Sequence, residues 1–276
     1  MRTRYDPLSL WRLSRHLRSA GADIVHCHMR RANTSGRIAA FIAGVPICFV
    51  TERDLGLDKT WRHYLVDRWL GYYSSAVICI SKGVWRHEQS RSCLPAAKFR
   101  LLYNGLDLDT FAHLPPRSQA REKLLGSHAA AIADRPLIGV ISRLHALKQI
   151  DCIIRAIADP RLEHAMLVIV GDGDDRQRLE GLARSLDLAC VEKPRIFFTG
   201  FRIDLPTVYA ALDVAVVASA SEGFGNTHIE ALAAGVPLVS TPVGIAAEAL
   251  QPGKDYILAP TADPKHLAAA IAEALH

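Results

Sequence analysis

The sequence predicts an α/β protein of two doubly wound domains, and three observations lead there. Nine short apolar runs recur, at 23–27, 45–50, 76–80, 99–103, 136–142, 165–170, 195–200, 213–219 and 236–240. They are continuous rather than alternating, as strands buried on both faces of a parallel sheet are. Helix-period segments such as "QIDCIIRAIAD" and "RQRLEGLARSL" separate them, and strand–helix alternation in two blocks builds two such sheets. Pro115 and Pro116 interrupt regular structure between the blocks. The hinge is expected at 105–118, and the domains at residues 1–112 and 113–276.

With 276 residues, half of them apolar, the chain can bury one large core or two moderate ones. No run of 18 apolar residues occurs, which excludes a membrane-spanning helix. The start "MRTRYDPLSL" carries basic residues without an apolar run behind them, unlike a secretory signal. Six cysteines are scattered without CxxC spacing, and Cys27, Cys48, Cys79 and Cys152 lie in apolar runs. They read as reduced thiols of a cytoplasmic protein, with neither a metal nor a disulfide role.

Charge is uneven. Residues 1–115 hold 17 Lys/Arg against 9 Asp/Glu, and residues 116–276 hold 16 against 19, so +8 and −3 make the net +5. A basic first half either faces an anionic surface or substrate or is simply an Arg-rich solvated surface. No nucleic-acid recognition motif is present, so no nucleic-acid partner is expected.

Two carboxylates frame the most informative stretch, "SEGFGNTHIEALAAGVP" at 221–237. Glu222 follows the run at 213–219, so it falls at the carboxyl edge of a sheet, where doubly wound folds bind ligands. Gly223, Phe224 and Gly225 lead into a helix that carries Glu230 about two turns on. Glycines let backbone approach a ligand, and the free N–H groups of a helix start attract anions and hydroxyl oxygens. Two carboxylates here can accept from vicinal hydroxyls; equally, Glu230 can be an early helix residue favoured by the dipole. In "GVISRLHALKQ", Arg143 and Lys148 stand between a strand and a helix start, a natural diphosphate site though a weak signal alone. The Gly171-x-Gly173 of "VIVGDGDDRQRLE" reads as a structural turn, because Asp172, Asp174 and Asp175 would repel phosphate.

Taken in order, these segments resemble the retaining, GT-B-fold glycosyltransferases of family 4, the glycosyl transferases group 1. The resemblance is carried by "ADIVHCHMRRANTSGRIAAFIAGVP", "AVICISKGV", "LLYNGLDLDTF", "ISRLHALKQ", "VGDGDDRQRLE", "FTGFRIDLPTVYAALDVAVVAS" and "SEGFGNTHIEALAAGVPLVSTPVG". It implies two Rossmann-like domains, an acceptor-side one and a nucleotide-sugar-binding one. Arg143 and Lys148 would neutralise the donor diphosphate, Glu230 would hold ribose hydroxyls, and Glu222 with Gly223, Phe224 and Gly225 would face the transferred sugar. Glu222, Arg143 and Lys148 are then the expected catalytic groups. No cofactor or metal is implied: the nucleoside-diphosphate sugar is substrate, and the Arg/Lys pair does the electrostatic work of a cation. The acceptor would be a glycan or lipid-linked molecule of cell-envelope polysaccharide synthesis, reached from the cytoplasm or the inner membrane face.

Departures from the family pattern matter too. Both ends look short, the first domain by about two βα units or roughly 70 residues, so it is expected to be incomplete. Glu52 and Arg53 stand where an acceptor-side histidine is common; His28 and Glu52 are the acceptor-side candidates. Ile245 replaces a usual glycine. Asn104 with Gly105 reads as a turn, and Asp204 as the cap of the helix after it. Trp61, Trp69, Tyr72 and Tyr73, with Arg62 and Arg68, form either a core helix, the preferred reading, or a membrane-facing one. Two rival functions stay open, a nucleotide-sugar 2-epimerase and a donor-binding partner without transferase activity.

Overall fold

The computed structural model describes residues 6–56, 59–130, 133–189 and 194–276. They form two compact units, Met1–Asn104 and Gly105–His276.

The first unit runs α1 (Pro7–Ser19), β1 (Ile24–His28), α2 (Arg30–Ala43), β2 (Ile47–Glu52), α3 (Trp61–Tyr73), β3 (Ala76–Cys79), α4 (Lys82–Ser92) and β4 (Phe99–Leu101). Its four strands pair in parallel in the order β1-β2-β3-β4. Cys27, Val50, Val77 and Phe99 share one register row and are all buried. Local chemistry marks the helix ends. Asp6 accepts from the Leu8 N–H with Pro7 in the first turn of α1, Ser81 accepts from Val84 N–H ahead of α4, and Gly44 closes α2 at φ 75°.

The core-helix reading of α3 holds for one face of the helix and fails for its aromatics. Its inward face is made by Tyr64, Leu70 and Gly71, with Asp67 beside them, whereas Trp61, Trp69, Tyr72 and Tyr73 are exposed. Beneath it lies a buried ion network. Lys59 Nζ is 3.1 Å from Glu52, 3.3 Å from Asp67 and 2.9 Å from Glu88, and its side chain is 1% exposed. Arg37 meets Asp67 at 2.5 Å and also donates to the Asn33 carbonyl. The three carboxylates are close enough to share one cation, and the Lys59 ammonium takes that place.

The second unit runs α5 (Asp109–Ala112), α6 (Arg117–Leu125), β5 (Leu137–Ile141), α7 (Ile150–Ile157), β6 (Met166–Val170), α8 (Arg176–Ser185), β7 (Ile196–Gly200), α9 (Leu205–Ala211), β8 (Val214–Val217), α10 (Asn226–Ala233), β9 (Leu238–Ser240), β10 (Ile257–Leu258) and α11 (Pro264–Ala274). Six parallel strands lie in the order β10-β9-β8-β5-β6-β7. The continuous apolar runs follow from this architecture. Leu167 and Ile169 of β6 join one core with α7, α8 and α11, while Met166, Val168 and Val170 join another with α6, α9 and α10. Each such fully buried side chain contributes about 1.5–3 kcal/mol.

Three expectations shift. The units divide after Asn104 rather than at 112, because Phe111 of α5 is buried in the second unit's core with its ring edge-on to Tyr209. Residues 102–107 form no turn at Asn104-Gly105. Asp204 stands at the start of α9 but makes no capping bond there; its carboxylate takes a two-pronged Arg202 fork at 2.8 and 2.7 Å. Of the cysteines, Cys27, Cys48 and Cys79 are buried, Cys93 is exposed, Cys152 is half-buried, and all five are free thiols. Cys190 lies outside the described residues.

Candidate active site

In the second unit, β5 connects onward to β6 on one side while β8 and β9 extend the other. The crevice between the carboxyl ends of β5 and β8 is therefore the switch point at which doubly wound sheets bind ligands. The loops after these two strands carry Arg143, Lys148 and Glu222. They are tied together by the Ala220 N–H donating to the Leu147 carbonyl at 2.8 Å.

Glu222 sits at the centre. Its Oε1 accepts from Lys148 Nζ at 2.5 Å and from Ser219 Oγ at 2.6 Å. Lys148 and Glu222 are 74 residues apart in sequence, yet form a partly buried ion pair, with side chains 24% and 13% exposed. Arg143 is exposed on the same loop. It lines a cleft of about 690 Å³ with Ile141, Ser142, Gly171, Phe201 and Ile203. The glycine pair beyond β6 lets its loop press on the Arg143 loop, since a Cβ on Gly171 would lie 1.9 Å from the Ser142 carbonyl oxygen. Asp172 lies on the cleft wall beside it.

The turn between Glu222 and α10 is tightly held. Gly225 has φ +87°, and a Cβ there would lie 2.4 Å from His228 Nδ1. A Cβ on Gly244 would lie 2.3 Å from the Phe224 carbonyl oxygen and 3.0 Å from Glu222 Cβ. That carbonyl accepts from the Ile245 N–H at 2.7 Å. Phe224 and Ile245 are both buried. His228 is fully buried, bridging the Gly225 carbonyl at 2.9 Å and Ser240 Oγ at 2.8 Å. Burial lowers its pKa; Nδ1 faces the Gly225 carbonyl, which can only accept, and the Ser240 hydroxyl beside Nε2 also reaches the Thr241 carbonyl at 2.7 Å.

Glu230 has a different partner. Its Oε2 accepts from the Tyr209 hydroxyl at 2.9 Å. Burial raises the Glu230 pKa, and the Tyr209 bond opposes that rise. Thr227, one turn earlier in α10, donates to the Ile141 carbonyl at 3.2 Å and so pins the helix start to the end of β5. Sequence reasoning missed Ser219, Tyr209, Thr227 and His228. Ser219 and His228 flank the glycine turn as polar residues and were open to suspicion; nothing in the pattern marked Tyr209.

The two acceptor-side candidates lie in the first unit. His28 ends β1, exposed, with its ring 4.0 Å from that of His26. The structure places Glu52 in the interior instead: it accepts from Asn33 Nδ2 at 3.1 Å and holds Lys59. Among the described residues no helix is long and apolar enough to cross a membrane.

Comparison with known proteins bears on this arrangement. Residues 135–276 match the model of "Glycosyl transferases group 1", and residues 1–110 that of "Glycosyltransferase Family 4". The UDP-Gal:alpha-D-GlcNAc-diphosphoundecaprenol alpha-1,3-galactosyltransferase of Escherichia coli is 27% identical over 242 residues, covering 85% of this chain and 61% of its own. The chain thus spans about three-fifths of that relative's length. A GDP-mannose-dependent alpha-mannosyltransferase of Mycobacterium tuberculosis is 28% identical over 288 residues, 96% of this chain and 68% of its own. Among solved structures, Anabaena Alr3699/HepE in complex with UDP and glucose superposes with a TM-score of 0.84 at 25% identity, over 97% of this chain and 71% of that one. Two parallel-sheet α/β units, a charged crevice at the switch point of the second, and these matches lead to one conclusion: the chain belongs to the glycosyl transferases group 1 and has the GT-B fold.

Proposed function

We propose that this chain transfers a sugar from a nucleoside-diphosphate sugar to a glycan or lipid-linked acceptor with retention at the anomeric carbon. The observation that carries the reading is the Lys148–Glu222 pair at the β5/β8 switch point, with Arg143 on the same loop and Glu230 on the helix that follows. Arg143 and Lys148 bind the diphosphate, and Glu230, kept in place by Tyr209, accepts from ribose hydroxyls. The apolar walls of the Arg143 cleft, Phe201 and Ile203 among them, receive the base. Glu222 and the N–H groups of Gly223 to Gly225 face the sugar.

In the reaction, the bond between the anomeric carbon and the phosphate oxygen breaks and the acceptor oxygen bonds to the same face. The acceptor's proton passes to the departing phosphate oxygen. Charge develops on the leaving diphosphate, so the two cations act most strongly in the transition state, without a metal ion. The relatives' names support both halves of the proposal. One specifies a UDP-sugar donor and a diphosphoundecaprenol-linked acceptor, the other a GDP-sugar. With such an acceptor, the proposed reaction runs in the cytoplasm at the inner membrane face, as a step of cell-envelope polysaccharide synthesis.

Calorimetric titration of the 276-residue chain with UDP, GDP and ADP tests the donor half. One nucleotide is expected to bind, and Lys148→Ala to weaken it at least tenfold. A folded protein that binds none contradicts this reading and the donor-binding partner alike; a protein that binds but never transfers favours that partner. Turnover of a nucleotide sugar without acceptor would favour a 2-epimerase.

A further inference from the structure

We propose that the outer face of helices α1 to α4 docks on an anionic lipid bilayer, with an aromatic cluster on α2 and α3 at its centre. The inference rests on the membrane-side part of the function proposed above and identifies the face that meets the lipid; it does not depend on the donor site.

Helix α3 carries two apolar stripes rather than one. The inner stripe, with Tyr64 and Leu70, packs on the first unit. The outer one exposes Leu65, Val66 and Trp69, then Tyr72 and Tyr73. Across from it, α2 exposes Phe41 and Ile42. The rings of Phe41, Trp69 and Tyr73 meet at 4.8 to 6.3 Å and remain 53–54% exposed. Three large rings packed on one another in water form a contiguous apolar patch of the kind that marks an interaction site.

Charge decides the occupant. The four helices expose nine Arg or Lys side chains, three on α1, one on α2, two on α3 and three on α4, and no Asp or Glu. Their only acidic residues, Asp67 and Glu88, are turned inward and held by Arg37 and Lys59. The ion network therefore removes negative charge from this surface while leaving the positive charge outside. Two of these arginines lie against exposed tryptophans outside the cluster, Arg62 5.3 Å from the Trp61 ring centre and Arg15 4.8 Å from that of Trp11. Trp and Tyr rings with basic side chains around them suit the headgroup depth of a bilayer. A second copy of the chain is the poorer occupant, because it would bring nine like charges against nine.

Flotation of the 276-residue chain with vesicles tests this. Vesicles of mixed phosphatidylglycerol and phosphatidylcholine are expected to carry the protein upward, those of phosphatidylcholine alone not, and added salt to release it. The double variant Arg62→Gln/Arg68→Gln should lower the partition coefficient by about fivefold per charge, roughly thirtyfold in all. Trp69→Ser/Tyr73→Ser should abolish flotation while the protein stays folded by far-ultraviolet dichroism, since both rings are about half exposed and lie outside the core. Protein that stays down with phosphatidylglycerol vesicles overturns the proposal. So does equal binding to both vesicle types, or a dimer in sedimentation velocity that Trp69→Ser/Tyr73→Ser dissolves. The vesicles contain neither nucleotide nor acceptor, so failure here leaves UDP or GDP binding as a separate question.

Discussion

Replacing Lys59 with methionine is the sharpest single perturbation of the first unit. The side chain is 1% exposed and its ammonium touches three carboxylates at 2.9 to 3.3 Å. With Lys59 and Arg37 against Glu52, Asp67 and Glu88, the cluster carries one excess negative charge when all are ionised. Methionine nearly matches lysine in volume, so the loss is electrostatic: two excess charges remain in the interior. Removing one partner of a buried ion pair costs about 3–5 kcal/mol. The variant can recover part of this by binding protons, so the loss should be smaller at pH 5.5 than at pH 8. All four tryptophans, at 11, 61, 69 and 85, belong to the first unit, so tryptophan fluorescence in urea reports its unfolding alone. With a slope of about 1 kcal/mol per molar, suited to a small unit, the midpoint should fall by about 3 M at pH 8. A fall below about 1 M that is the same at both pH values would refute the claim that Lys59 neutralises the cluster.

Burial and the neighbouring Glu52 push the Glu88 carboxyl up to about 7. A group raised in the folded state contributes stability that is fully present below its ordinary pKa of about 4.5 and is lost as pH rises through about 7. The first unit should thus lose up to about 3 kcal/mol across that window, and Glu88→Gln should flatten the urea-midpoint profile. Gly225→Ala forces a Cβ to within 2.4 Å of His228 Nδ1 at φ +87°. It should cost about 1–3 kcal/mol in urea unfolding of the second unit, followed by far-ultraviolet dichroism. Glu222→Gln removes the anion that neutralises Lys148. Calorimetry should show the nucleoside diphosphate binding tighter by about 1 kcal/mol, while sugar transfer falls.

The parallel strands were legible because their residues are buried on both faces, as Met166 to Val170 show. The last strand, Ile257–Leu258, was not, because two residues make no pattern. Helix α3 was recognisable as a helix, but two apolar stripes look alike in sequence and only packing decides which one turns inward. The donor-side motifs were visible as separate cues. Their meeting was not, since the Lys148–Glu222 pair and the Tyr209–Glu230 bond join residues 74 and 21 positions apart. The ion network was invisible for the same reason, its members being spread from Arg37 to Glu88. Glu52 was a candidate because it stands where an acceptor-side histidine is common in the resembled family; a lysine seven residues on holds it inward instead.

The central claim is a division of labour, with Glu230 on the ribose hydroxyls and Arg143 with Lys148 on the diphosphate. Calorimetric titration of wild type, Glu230→Ala and Arg143→Ala with UDP and with its 2′,3′-dideoxy analogue tests it, or with the corresponding GDP pair if GDP is the nucleotide bound. Glu230→Ala should weaken the ribonucleotide by about 1.5–3 kcal/mol, the worth of hydrogen bonds to a charged group, and leave the dideoxy analogue unchanged. Arg143→Ala should weaken both alike. If Glu230→Ala weakens the two ligands equally, or neither, Glu230 does not hold the ribose and the assignment fails.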